Sequence, residues 1–197
     1  MEKVNGIPAF HAKSPKDWRN WLEKHGTSEK AVWLIIYHQK SKTPSVHYAE
    51  SIEHSLCYGW IDSEALKRDE ESFYLSFTPR KPKSNWSKTN RERVTRMTEQ
   101  GLMRPAGQAM IDLAKATGTW DGLAAAQDNI LPDDLKKLFN RNKKAFKNFD
   151  AFAPSSKRLI LEWISKAKKT ETRQQRVLQT VELAAENVKA NHPGSKK

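Results

Sequence analysis

Six consecutive apolar residues, Val32-Trp33-Leu34-Ile35-Ile36-Tyr37, stand between two polar stretches. A β-branched run of this length with no polar alternation reads as a central strand, which commits the chain to a fold with a sheet. The flanking sequence supplies the layer that covers it. Ser14-Pro15-Lys16-Asp17 is a helix start: serine caps, proline suits the first turn, and the aspartate favours the positive end of the dipole. Trp18, Trp21 and Leu22 then recur at i, i+3 and i+4, one apolar stripe.

Downstream of the strand, Lys42-Thr43-Pro44-Ser45 makes a turn, and a short helix over Tyr48–Cys57 turns Ala49, Ile52 and Leu56 inward, with Gly59 as its stop. A second strand spans 60–66. After the polar turn at Asp69-Glu70-Glu71-Ser72, Phe73, Leu75 and Phe77 alternate along a third until Pro79 ends it. These two pair as an antiparallel hairpin. Ser87 caps a helix running to about Gln100, Gly101 stops it, and Pro105 opens another that ends at Gly118. A loop over 120–129 joins this part to a last third that is helical throughout. There the expected inward stripes are Leu135, Leu138 and Phe139; Ala145, Phe146 and Phe149; Leu159, Ile160, Trp163, Ile164 and Ala167; and Val177, Leu178, Val181, Ala184 and Val188. The expected architecture is α+β: a small antiparallel sheet of about three strands covered by helices over 1–120, then a helical module over 130–190. A polar tail over 191–197 is expected to fray.

At 197 residues the chain is long enough to bury a core. Its 35 Lys and Arg against 23 Asp and Glu give a net charge of +12, and the excess is concentrated. Residues 80–104 hold eight basic and two acidic residues, and residues 136–176 hold thirteen and three. Such asymmetry points to an anionic partner, either a small anionic ligand or an anionic macromolecule such as nucleic acid, or else to solvated helix faces. One cysteine excludes an internal disulfide, and the chain opens with no apolar leader and contains no stretch of spanning length, so a cytoplasmic protein with no membrane span is expected.

The chemistry-bearing residues crowd the centre. Thr78-Pro79-Arg80-Lys81-Pro82-Lys83-Ser84-Asn85-Trp86-Ser87 is a basic loop ending where a helix begins, and helix N-termini favour anions. Arg80 can fork onto a phosphate or carboxylate, Lys83 adds charge, and Trp86 offers a stacking plate. Asn90 and Arg91 lie one turn further on. The alternative is a loop packed down by Trp86 with its charges in water. Asp62, an acid within an apolar strand beside Trp60, needs a partner: Arg80 across the hairpin, or a donor group of a ligand. Cys57, at a helix C-terminus, faces the wrong end of the dipole for a reactive thiolate, although His47 and His54 are near in sequence. No metal-ligand spacing, phosphate-binding glycine motif or serine-hydrolase elbow is present, so no cofactor, no metal and no catalytic residue is expected. Lys157, Lys166, Lys168, Lys169, Arg173 and Arg176 can track a phosphate backbone, or form a solvated face.

Ser55-Leu56-Cys57-Tyr58-Gly59-Trp60-Ile61-Asp62, the Thr78-Pro79-Arg80 turn, Ser84 to Asn90, and Trp163-Ile164-Ser165-Lys166-Ala167-Lys168-Lys169-Thr170-Glu171-Thr172-Arg173 together resemble the bacteriocin-protection family, also called YdeI/OmpD-associated. Its usual pattern is close to A-L-C-F-G-W-I-D-G, then T-P-R-R, then S-x-W-S-x-x-N. Ser55, Tyr58, Ser63 and Lys81 depart from it. Ser63 replaces a glycine that permits positive φ or close ligand approach. The resemblance implies an accessory protein tied to bacteriocin or cationic-peptide resistance and envelope stress, binding an anion without catalysis through Trp60, Asp62, Arg80, Lys83, Trp86, Asn90 and Arg91. A nucleic-acid-binding module using 80–104 and 136–176 is the alternative, followed by an enzyme with Asp62 as acid or base.

Overall fold

A computed structural model describes residues 2–191 and divides the chain into two compact units, the first ending at Trp120. The first is built on a five-stranded sheet of β1 (Lys3–Val4), β2 (Ile7–His11), β3 (Val32–Tyr37), β4 (Trp60–Lys67) and β5 (Ser72–Pro79), in the order β1-β2-β3-β5-β4. The α+β class stands, but the strand inventory and pairing need correction. Two N-terminal strands join the expected three, and β2 lies parallel to β3, so the sheet is mixed. Asn5 and Gly6, both at positive φ, close the β1–β2 hairpin.

The apolar run of β3 sits centrally because both of its faces are covered. Val32, Leu34 and Ile36 meet the main core, which includes Trp18, Leu22, Ile52, Leu56, Trp60, Phe77 and Trp86. Trp33 and Ile35 join Ala9 in a smaller cluster edged by Leu66 and Tyr74. Four helices belong to this unit: α1 (Pro15–His25), α2 (Tyr48–Cys57), α3 (Lys88–Glu99) and α4 (Pro105–Ala116). The Ser14 hydroxyl accepts from the Asp17 amide at 3.2 Å, and α1 links β2 to its parallel neighbour β3. Gly59, at φ +76°, ends α2 where a Cβ would lie 3.1 Å from the Ala106 carbonyl oxygen. Gly107 permits a closer approach still, since a Cβ there would fall 2.3 Å from the Cys57 carbonyl oxygen. Ser63 is exposed, lies in the register shift between Asp62 and Ala65, and is not among the residues with positive φ.

The second unit is helical: α5 (Ala124–Gln127), α6 (Asp133–Arg141), α7 (Lys143–Asp150), α8 (Pro154–Ser165) and α9 (Thr170–Ala185). Leu135, Phe139, Phe149, Ile160, Leu161, Ile164, Val177 and Ala184 form its core. Several expected inward residues face solvent instead: Phe146, Leu159, Leu178 and Val188. The phase of α8 is set by Ile160, Leu161 and Ile164, which places Leu159 on the outer flank. Arg173 of α9 forks onto Asp134 of α6 at 2.8 and 3.1 Å. Of the tail expected to fray, residues 192–197 lie outside the described residues. Among the described residues no helix is long and apolar enough to cross a membrane.

Candidate functional site

Strand β5 stops at Pro79, and the Arg80 amide donates to the Gly59 carbonyl at 2.8 Å, so the guanidinium leaves the sheet from a fixed point. It lies 3.9 Å from the centre of the Trp86 ring and donates through Nη2 to the Asn85 carbonyl at 2.6 Å. Trp86 is 1% exposed and packs on Trp120 with ring centres 5.1 Å apart. Arg80 is only 6% exposed, and its Nε is buried without a hydrogen-bond partner. Burial lowers its pKa to about 10, against an opposing pull from Asp62, so it remains a cation at neutral pH. Stacking on Trp86 returns about 2 kcal/mol when desolvated, less than a buried ion loses on leaving water. The loop therefore carries an under-satisfied buried cation.

Asp62 sits on edge strand β4, half-buried, opposite Phe77. Burial raises its carboxyl above the ordinary range, opposed by a hydrogen bond from its own backbone amide, then by Arg93 and Arg80. The expected ion pair between Asp62 and Arg80 is not formed: among the described residues Asp62 makes none. Arg80 follows the Trp60–Pro79 pair, three residues along β5 from Phe77, roughly 10 Å of strand. Two further residues, which sequence reading missed, act on Asp62 or respond to it. Asp62 helps to raise the Tyr48 phenol at the start of α2, behind the larger effect of burial. Arg93 on α3 donates to the Asn90 side-chain oxygen at 2.9 Å. The available signal was the i, i+3 spacing of Asn90 and Arg93. A carboxyl whose ionisation is held back beside cations is also what acid or base chemistry requires.

The remaining expected site residues lie elsewhere. Trp60 is 1% exposed, donates from Nε1 to the Gly26 carbonyl at 2.9 Å and meets Trp21 edge-on, so it is core. Trp86 likewise has no open face, and the cation that stacks on it is the protein's own Arg80. Lys83 is exposed on the loop. Arg91 turns away, donating to the Trp120 carbonyl at 3.0 Å and lining an open groove of about 580 Å³ with Lys88, Arg96 and Trp120. Ser87 caps α3 by accepting from the Asn90 amide at 3.2 Å, which occupies one of the N–H groups an anion would use. Cys57 is buried, its Sγ donates to the Glu53 carbonyl at 3.3 Å, and burial pushes the thiol pKa up. Among the described residues no group of three or more His, Cys, Asp or Glu side chains gathers to hold a metal.

Residues 10–110 match the model of a domain of unknown function, DUF8412, and residues 129–187 match the model of the bacteriocin-protection, YdeI or OmpD-associated family. The resemblance read from sequence thus falls on the helical unit, while the central motifs lie within the DUF8412 match. No curated protein and no solved structure matches.

Proposed function

The chain belongs to the DUF8412 family, and on that premise we propose that it is a non-catalytic, cytoplasmic binding protein that takes a small anion, or the anionic group of a partner, at Arg80. One observation carries this reading. The buried Arg80 guanidinium has an Nε with no acceptor, while Asp62, which acts on it electrostatically, forms no ion pair with it. An anion oxygen supplies the missing acceptor, and Arg93 adds charge from α3. Asp62, as a carboxylate that accepts hydrogen bonds, discriminates for an anion that also carries a donor, such as hydrogen phosphate.

Residues 129–187 match the model of a family named for bacteriocin protection, which supports an accessory role in resistance to cationic peptides and in envelope stress. With a net charge of +12 the protein repels such peptides, so protection runs through its anionic ligand and not through sequestration. The nucleic-acid reading is weaker, because the helix face it needs is partly committed. Arg96 pairs with Glu53 at 2.6 Å, and Arg91 is held by the Trp120 carbonyl.

Thermal denaturation with and without inorganic phosphate tests the proposal. Phosphate is expected to raise the melting temperature of the wild type and to leave Arg80→Ala unmoved, with Arg80→Lys intermediate because it keeps charge and loses the fork. A phosphate shift of equal size in all three proteins, each shown folded by circular dichroism, would remove Arg80 from the site.

A further inference from the structure

Helix α1 carries two stripes. Trp18 and Leu22 face the core. Asp17, Asn20, Trp21 and Lys24, at i, i+3, i+4 and i+7, share another face and line a groove of about 480 Å³ between α1 and the end of β2. An indole in an otherwise polar stripe is the informative feature, because apolar residues outside the core stripe of a helix need a reason. Trp21 stacks on buried Trp18 at 5.2 Å and 18°, and it meets Trp60 edge-on, so its ring is held from the core side. Phe10 of β2, with its ring centre 6.0 Å from that of Trp21, extends the apolar floor.

The rim has the opposite character. Lys13 and Lys24 face the groove with His11 and His25, and Asp17 is the single carboxylate among the lining residues. Lys13 also borders an adjoining hollow of about 260 Å³ that holds Lys42. Three lysines therefore border the two hollows, Lys13 being common to both.

We propose that this groove binds a planar aromatic anion of mononucleotide size, with its ring against Trp21 and Phe10 and its phosphate on Lys13 and Lys24. The volume lies within the range of small-molecule sites. A flat ring gains from a preorganised aromatic floor whatever its identity. Lysine supplies point charges that hold phosphate without demanding bidentate geometry. Asn20 places an amide, both donor and acceptor, on the same face as the indole, where it reaches the edge of a heterocycle. This site is separate from Arg80 and does not depend on it.

The test is a titration of the full-length, isotope-labelled protein with AMP, read by NMR at the seven tryptophan indole N–H signals. Trp21→Phe assigns the relevant signal. The expected result is saturable movement of the Trp21 signal, with adenosine and inorganic phosphate each binding more weakly than AMP. Changing the two exposed lysines together, Lys13→Ala with Lys24→Ala, is expected to weaken AMP by about tenfold or more, about 1.4 kcal/mol, while Lys137→Ala, at an exposed lysine of α6 outside the groove, leaves it unchanged. These lysines lie outside the core, so the double variant keeps the fold. Absence of saturation, equal binding of AMP and adenosine, or AMP binding that survives the lysine changes would each overturn the proposal.

Discussion

Asp62 shows at the residue scale how a carboxylate can be placed at a cost. Its folded pKa lies above the unfolded value because burial outweighs the pull of Arg93 and Arg80. As pH rises, the unfolded chain ionises first and the folded state loses ground through that window, so the full cost is present at neutral pH. Asp62→Asn is therefore expected to raise the melting temperature at pH 7, with the gain shrinking as pH falls and disappearing by about pH 3, where both states hold the proton. Melting curves across pH 3 to 7 check this, and a variant destabilised at pH 7 would show that Asp62 is paired in solution. Sequence located Asp62, Arg80 and Trp86 because an acid in an apolar strand and a basic loop are local signals. It could not show that Arg80 stacks inward on Trp86, nor that Tyr48 and Arg93 come to face Asp62. Those facts depend on which helices lie over β4, and no local pattern records that.

Among elements, the crossing of α2 and α4 is the sharpest constraint. Gly107 lies within α4, where helix propensity alone favours alanine by about 1 kcal/mol. The crossing reverses that sign, because the obstructing atom is the backbone oxygen of Cys57 and not a movable side chain. Gly107→Ala is expected to cost about 1–3 kcal/mol in urea unfolding, and a neutral or stabilised variant would deny the close approach. The limits of α2 were readable because a left-handed glycine follows it. Strands β1 and β2 were not, since β1 has two residues and β2 contains Pro8, which weakens any strand pattern. In α8 and α9 the apolar residues outnumber the places in the core, so Leu159 and Leu178 fitted the periodic stripe and still point outward.

At the scale of the whole molecule, each unit has its own apolar cluster, one drawn from the sheet and its helices and the other from α5 to α9 and the residues flanking them. Charge is shared unevenly: residues 1–120 carry 19 basic and 14 acidic side chains, and residues 121–197 carry 16 and 9. The basic excess was legible from composition. Fragments 1–120 and 121–197 are each expected to unfold cooperatively when expressed alone, as followed by circular dichroism on heating. A fragment with no cooperative transition would show that its cluster is insufficient by itself. The sheet order has a consequence for synthesis. Strand β4 leaves the ribosome before β5, yet β5 is its only neighbour among the described residues and lies between it and β3. The nascent chain cannot add β4 to a waiting sheet. It must first zip β4 and β5 into a local hairpin and then dock that hairpin through β5, with Val32 opposite Phe77 and Tyr37 opposite Ser72. The basic loop that carries Arg80 follows directly behind, so Arg80, whose amide donates to the Gly59 carbonyl just ahead of β4, is positioned by the zipping of that hairpin.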